Sequence, residues 1–293
     1  MRKKKSFTTA MLERFIRNNR SMGVKDDFRP WHQVTRSDPS SIGRSGRYVI
    51  DNRQVHTLST VEYTAVLFAT MSKDVVDIRE QFALNLDPAN HELNAYDDTY
   101  GRFYPGTLEI ARALGIKHPL IQDGSKKPWR MTTDILITLD TNSVLSLIAV
   151  SCKKRPPENR RTKELLLIER EYWLSRGVEW LLITPNTYER AFANTLRSFR
   201  KLALSGNVGK ALTLEIAEEL KRGNYSYAEL IATFLASGHS IENIQNAFWN
   251  GFWFGDIPME VRVRFEPMRK IRLISKDEFL LKNPIYSRRS SWI

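Results

Sequence analysis

The segment MTTDILITLDTNSVLSLIAVSCKK, residues 131–154, constrains the fold more than any other stretch of this chain. Two apolar runs flank Asp140-Thr141-Asn142-Ser143, a cluster of turn formers, which predicts an antiparallel β-hairpin. If the turn is centred on Asn142-Ser143, facing residues sum to 285 and Asp134 stands opposite Ser151. Lys153 then shares that face two residues on, about 7 Å away. Centring the turn on Thr141-Asn142 keeps the face but moves Lys153 to about 13 Å, too far for direct cooperation. Opposite charges in strands otherwise suited to burial leave two readings: a cross-strand ion pair, or a site.

Around the hairpin, periodicity alternates between helix and strand. Residues 59–72 have helical spacing with Ser59 as N-cap, 74–84 read as a strand, and 161–177 form an amphipathic helix ending at Gly177. VEWLLIT (178–184) is a short buried strand, and another short strand is expected at 46–50. Between them lie a polar, Tyr-rich insertion at 85–130 with a helix at 107–114, and a loop-rich stretch at 25–48 carrying Pro30, Pro39, Gly43 and Gly46. The N-terminal residues 1–20 suit a basic amphipathic helix. This order predicts an α/β fold, a mixed sheet with helices against its faces. Beyond Pro185 the pattern turns helical, at 187–204, 211–222, 226–237 and 240–249, followed by a hairpin over NGFWFGDIPMEV (250–261). The domain boundary is placed at 185–188.

Charge narrows the partners. Lys and Arg number 45 against 33 Asp and Glu, a net charge of +12, which favours a polyanion such as nucleic acid. The single cysteine, Cys152, excludes an internal disulfide and any cysteine-rich zinc site, and fits a reducing cytoplasm. No apolar run approaches the roughly 20 residues that cross a bilayer.

A carboxylate and a lysine on one sheet face suggest metal-assisted hydrolysis. Hard oxygen ligands hold Mg²⁺, which polarises a phosphate and acidifies bound water, while the lysine orients or deprotonates that water or stabilises charge. One carboxylate is a thin metal site, and Glu62 is the candidate for a second. Glu62 has a competing reading, because Ser59-Thr60-Val61-Glu62 is a capping box. His56 and His118 lack ligand spacing and are expected to be structural, and Cys152 to be core.

GVKDDFRPWHQV, PSSIGRSGRYVI, VHTLSTVEYTAVLF, VVDIREQFAL, GIKHP, TTDILIT and IEREYW, in this order over residues 20–186, resemble the TnsA family of transposase endonuclease subunits. The resemblance implies a restriction-endonuclease-like catalytic domain over 1–186 and a winged-helix domain with a basic tail over 187–293. It puts the catalytic residues at Glu62, Asp134 and Lys153. The metal ligands fall at Glu62, Asp134 and the backbone carbonyl of Cys152, holding a pair of Mg²⁺ ions that Mn²⁺ replaces. It further implies action on double-stranded DNA at transposon ends, in a bacterial cytoplasm. There the family cuts the 5′, non-transferred strand, a TnsB-type recombinase cuts and joins the 3′ strand, and a TnsC-type ATPase regulates both. The sequence departs from the family pattern at Ser151, where a glutamine or acid is common. A serine supplies at most a weak or water-mediated contact, which counts against the second ion. Lys154 should point to the opposite strand face.

In the C-terminal third, residues 226–261 space two helices about Gly238 and then a hairpin, a helix-turn-helix with a wing. The second helix, SIENIQNAFWN, carries Glu242 and no Lys or Arg to read guanine. Phe248, Trp249, Phe252, Trp253 and Phe254 are core candidates. Any excess over core needs would mark a protein-docking surface, so protein contact is expected over base readout. The tail is expected to be flexible from Asn283. Two alternatives stay open: a stand-alone restriction-like or junction-resolving nuclease, and a non-enzymatic winged-helix regulator.

Overall fold

A computed structural model describes residues 7–34, 45–50, 53–205 and 209–292. Pro39 and Gly43 of the loop-rich stretch lie outside them, as do Met1–Ser6 of the basic N-terminus. Packing divides the chain into two units. The first holds Met1–Val66, Asp74–Thr184 and Ser291–Ile293; the second holds Leu67–Lys73 and Pro185–Ser290. The expected span 187–293 therefore differs at both ends, giving up its last three residues and gaining the end of one helix.

The first unit opens with α1 (Thr9–Arg17), capped by Thr8 and burying Leu12 and Phe15, while Arg14 and Arg17 sit in its last turn where the helix dipole favours cations. β1 (Gly46–Ile50) and β2 (Arg53–Thr57) pair antiparallel. Strand β2 departs from the sequence expectation, because RQVHT lacks a clean alternation. Then follow α2 (Thr60–Ala69) and β3 (Val75–Ala83), and a two-stranded insert of β4 (Ala89–Asn90) with β5 (Phe103–Tyr104). α3 (Thr107–Ala113), β6 (Thr132–Thr141), β7 (Val144–Cys152), α4 (Arg160–Leu174) and β8 (Glu179–Ile183) complete the unit.

The main sheet runs β3-β6-β7-β8. Its first three strands are antiparallel, and β8 joins β7 in parallel after the α4 crossover, so the sheet is mixed. Asn142 and Ser143 both have left-handed backbones, φ 53° and 65°, as a two-residue type I′ turn requires. Thr141 faces Val144 and Ile135 faces Val150, the register that sums to 285. The next rung sets Asp134 opposite Ser151. Leu136, Leu147 and Ala149 of the hairpin pack in one core with Leu166, Tyr172 and Trp173 of α4. Cys152 is buried, as its alternation predicts. The polar insertion is held by a buried ionic group: Glu92 pairs with Arg176 at 3.2 Å and accepts from the Tyr172 hydroxyl at 2.5 Å.

The second unit consists of α5 (Arg190–Ala203), α6 (Lys210–Arg222), α7 (Tyr227–Ala236), α8 (Ile241–Phe254) and α9 (Lys276–Leu281), with the end of α2. α7 begins with a reciprocal Ser226–Glu229 capping box. The hairpin expected over 250–261 is not present. Residues 250–254 extend α8, which ends on the left-handed Gly255. Phe248 and Phe252, and Trp249 and Trp253, recur at i, i+4, so this run is one core-facing helical stripe rather than a strand. Gly251 is required there, since a Cβ would lie 2.8 Å from Ile257 and Thr213 side-chain atoms.

Phe248, Trp249, Phe252 and Trp253 are at most 1% exposed. These four are core and Phe254 is half-buried against the Lys73 ammonium, which leaves little of the aromatic argument for a docking surface. The bridge Met259↔Leu273 instead closes a loop on which Arg262, Arg264, Arg269, Lys270 and Arg272 are exposed.

The tail is likewise ordered beyond Asn283, contrary to expectation. Buried Asn283 donates to Phe68 O (2.8 Å) and accepts from Ile285 N (2.9 Å), and Ile285 is buried. Asn283→Ala should lower stability by about 1–3 kcal/mol, the cost of stranding a buried carbonyl, as read by urea denaturation. In the first unit Ser291 N donates to Leu182 O (2.8 Å) and Trp292 meets Trp180 edge-on at 5.5 Å. Among the described residues, no helix is long and apolar enough to cross a membrane.

Candidate active site

Asp134, near the start of β6, and Lys153, just past β7, meet because the hairpin register places them on adjoining rungs. Lys153 Nζ lies 3.5 Å from Asp134 Oδ2 and donates to the Cys152 carbonyl at 3.1 Å. The Cys152 amide donates to the same Asp134 oxygen at 2.7 Å. The cross-strand ion pair is therefore real, and it stands inside a larger group.

Glu62 enters from the first turn of α2. Its Oε2 accepts from Leu58 N (2.7 Å) and its Oε1 from Ser59 Oγ (2.9 Å), while its own amide donates to Ser59 Oγ (3.2 Å). The capping role is thus present, displaced by one residue on the backbone side. The same carboxylate also faces the site. Gln81 on β3 donates from Nε2 to Glu62 Oε2 (3.1 Å) and, in a longer contact, to Asp134 Oδ1 (3.4 Å). All three candidate residues of the sequence are brought together, and one amide bridges the two acids.

Ser151 takes no part in that bridge. Its hydroxyl donates to Glu169 Oε1 of α4 (2.5 Å), which also accepts from Thr133 Oγ1 (2.8 Å), and Trp173 Nε1 donates to Thr133 Oγ1 (2.6 Å). This buried brace ties the ends of β6 and β7 to α4, one residue away from Asp134 and two from Lys153.

Burial shapes the charges. It pushes the Glu62 carboxyl up to about 8, with the neighbouring Asp134 charge adding to the effect. It likewise pushes Glu169 up to about 7, although the Lys153 charge opposes it. For Lys153 burial pulls the pKa down, but Asp134 and then Glu169 outweigh it, so the ammonium is held above its ordinary range. Burial raises the Cys152 thiol well above normal, so it is no nucleophile.

Gln81 and Glu169 do not stand out in the sequence. Glu169 carries a signal, an acid three residues from Leu166 and Tyr172 on the buried stripe of α4. Gln81 carries none. Its backbone is left-handed, φ 49°, inside a strand, a conformation costing a non-glycine residue on the order of 1–2 kcal/mol. His56 accepts from Val34 N through Nδ1, and His118 contacts Thr107 and Pro119, so both are structural as expected.

The donor set suits a hard cation: two carboxylates are held close by a single amide, and Glu62 is forced towards its neutral form by burial and by their repulsion. Among the described residues, no three His, Cys, Asp or Glu side chains group closely enough to hold a metal. Any ion here would need oxygen from an amide, a carbonyl, water or substrate besides the two acids.

The mixed α/β unit thus brings two acids, one from α2 and one from the main sheet, and a lysine to one point. Residues 72–185 match the family model described as the TnsA-like endonuclease N-terminal domain. The chain is 30% identical over 182 residues to the transposon Tn7 transposition protein TnsA of Escherichia coli, a match covering 61% of this chain. The chain spans 58% of that relative's length. Asp134 and Lys153 lie within the matched family domain, and Glu62 precedes it.

Proposed function

We propose that this chain is the endonuclease subunit of a transposase. With Mg²⁺ or Mn²⁺ it would hydrolyse the 5′, non-transferred strand at transposon ends in double-stranded DNA. A TnsB-type recombinase would cut and join the 3′ strand, and a TnsC-type ATPase would regulate both. The observation that carries this reading is the convergence of Glu62, Asp134 and Lys153, three residues remote in sequence, on one bridged group.

Glu62 and Asp134 would hold the cation, with the Cys152 carbonyl as a further oxygen. When bound, the ion supplies Lewis acidity towards a phosphate oxygen and lowers the pKa of water. Lys153, kept as an ammonium at neutral pH by its acidic neighbours, is a poor general base. It would donate hydrogen bonds and positive charge to the developing phosphorane oxygens. With Ser151 donating to Glu169, the protein offers donors for one ion rather than the pair that the resemblance implies. The net charge of +12 and the exposed cations on the 262–272 loop suit DNA phosphates more than base readout.

The test is strand-specific mapping of nicks on an end-containing duplex, with and without the recombinase partner. Nicks should be confined to the 5′ strand and require the partner. Metal-dependent cutting of both strands of any DNA by the chain alone would replace this reading with a stand-alone nuclease.

A further inference from the structure

Gln81 is a buried polar residue of the site that the hydrolysis described above leaves unused. It is 2% exposed, its amide bridges Glu62 and Asp134, and it keeps a left-handed backbone that glycine would adopt at less cost. The register sets it across from Asp134 on one side, between the pairs Glu80↔Ile135 and Phe82↔Thr133. Ser151 stands across from Asp134 on the other side, with its hydroxyl proton committed to Glu169. A hard divalent cation needs about six oxygens, and among the described residues no third acid, histidine or cysteine joins the two carboxylates.

We propose that Gln81 is the third protein side chain of the cation site, supplying from β3, through Oε1, the oxygen that Ser151 does not supply from β7. This rests on the cation-dependent reading above. Without a cation the two carboxylates only accept, so the amide turns its NH₂ towards them. With a cation on the carboxylates that donor is no longer needed. Rotation about the soft terminal torsion of the glutamine exchanges Nε2 for Oε1 with no backbone movement. The strained φ then has a reason: the position keeps a side chain with a carbonyl oxygen where conformation alone would favour glycine.

Calorimetric titration of the full chain with MnCl₂ at pH 8 tests this. Gln81→Leu should weaken Mn²⁺ binding about tenfold or more, and Gln81→Glu, which keeps an oxygen there, should bind at least as tightly as wild type. Gln81→Gly and Gln81→Ala should also bind about tenfold or more weakly, yet of these two the Gly variant should have the higher cation-free melting temperature, because it alone relieves the backbone strain. That separates loss of a ligand from loss of fold. If wild type binds Mn²⁺ and Asp134→Ala does not, but the Leu and Gly variants both bind within twofold of wild type, the role of Gln81 is overturned and the cation reading stands. If wild type takes up no Mn²⁺, or Asp134→Ala binds it unchanged, both are overturned.

Discussion

Asp134→Ala should abolish cleavage of the 5′ strand, by about three orders of magnitude or more, while leaving the chain folded. A bound cation contributes several kcal/mol to a phosphoryl transition state, and each 1.4 kcal/mol is tenfold in rate. The substitution removes one of two acids at the site, the ion-pair partner of Lys153 and the acceptor of the Cys152 amide. Because that amide is left without its acceptor, Asp134→Asn is the matched control. It retains an oxygen for the amide but loses the charge, and it should be nearly as inactive. Surfaces far from the site are untouched, so assembly and 3′-strand joining by the recombinase should continue. The element would then remain tied to its donor by the uncut strand, and replication would give fused donor–target products. Sequencing of insertion products decides the matter: simple insertions at the wild-type ratio would remove Asp134 from the chemistry, and loss of all joining would remove the division between strands.

The cation-free protein should lose stability as pH rises from about 4.5 to 8, and Glu62→Gln should flatten that slope. Glu62 moves from an ordinary 4.5 to about 8 on folding, through burial first and Asp134 second. Below about pH 4.5 it is protonated in both folded and unfolded chains, and its contribution is fully present. Between 4.5 and 8 the folded chain keeps a proton that the unfolded chain has released, so stability falls with pH; above 8 the contribution is gone. A tenfold difference in proton affinity is worth about 1.4 kcal/mol, so the change is on the order of a few kcal/mol. Glu169, pushed up to about 7, adds a slope of the same sign over a narrower range. A divalent cation should reverse the trend at pH 8, because binding needs the carboxylate that repulsion disfavours, and it should release protons as it binds. Urea midpoints at pH 5, 6.5 and 8, with and without MgCl₂, measure this. A rise in stability with pH for the cation-free wild type, unaltered in Glu62→Gln, would show that Glu62 is not held in its neutral form.

The hairpin, the cap on α2 and four helices of the second unit were legible in the sequence, because each follows from contacts a few residues apart; α9 and the choice between two hairpin registers were not. The structure adopts the turn on Asn142-Ser143 rather than the one on Thr141-Asn142, that turn dictates which residues face one another, and Asp134 and Lys153 thereby meet. Misreadings arose where a local pattern suits more than one environment. The aromatic run Phe248–Phe254 serves a strand or a buried helical stripe, and only packing against Thr213 and Ile257 at Gly251 selects the helix. A polar tail after Asn283 reads as solvated until its amide finds the Phe68 carbonyl, 215 residues away in sequence.

The same limit governs the site. The capping box at Ser59–Glu62 is local and was readable. Whether that carboxylate also turns towards Asp134 depends on where α2 sits against the sheet, which no spacing encodes. Gln81 gave no local sign of its role, and Glu169 gave only its place on the buried stripe of α4, since a buried polar side chain takes its role from its partners. Sequence by itself therefore determined the strands of the main sheet, the hairpin and the shared face of the charged pair, while the choice between two registers fell to the structure. Only the tertiary structure decided which amide bridges the acids and which glutamate holds the serine. Periodicity and turn chemistry act over a few residues, whereas a site is assembled by burial across the whole unit.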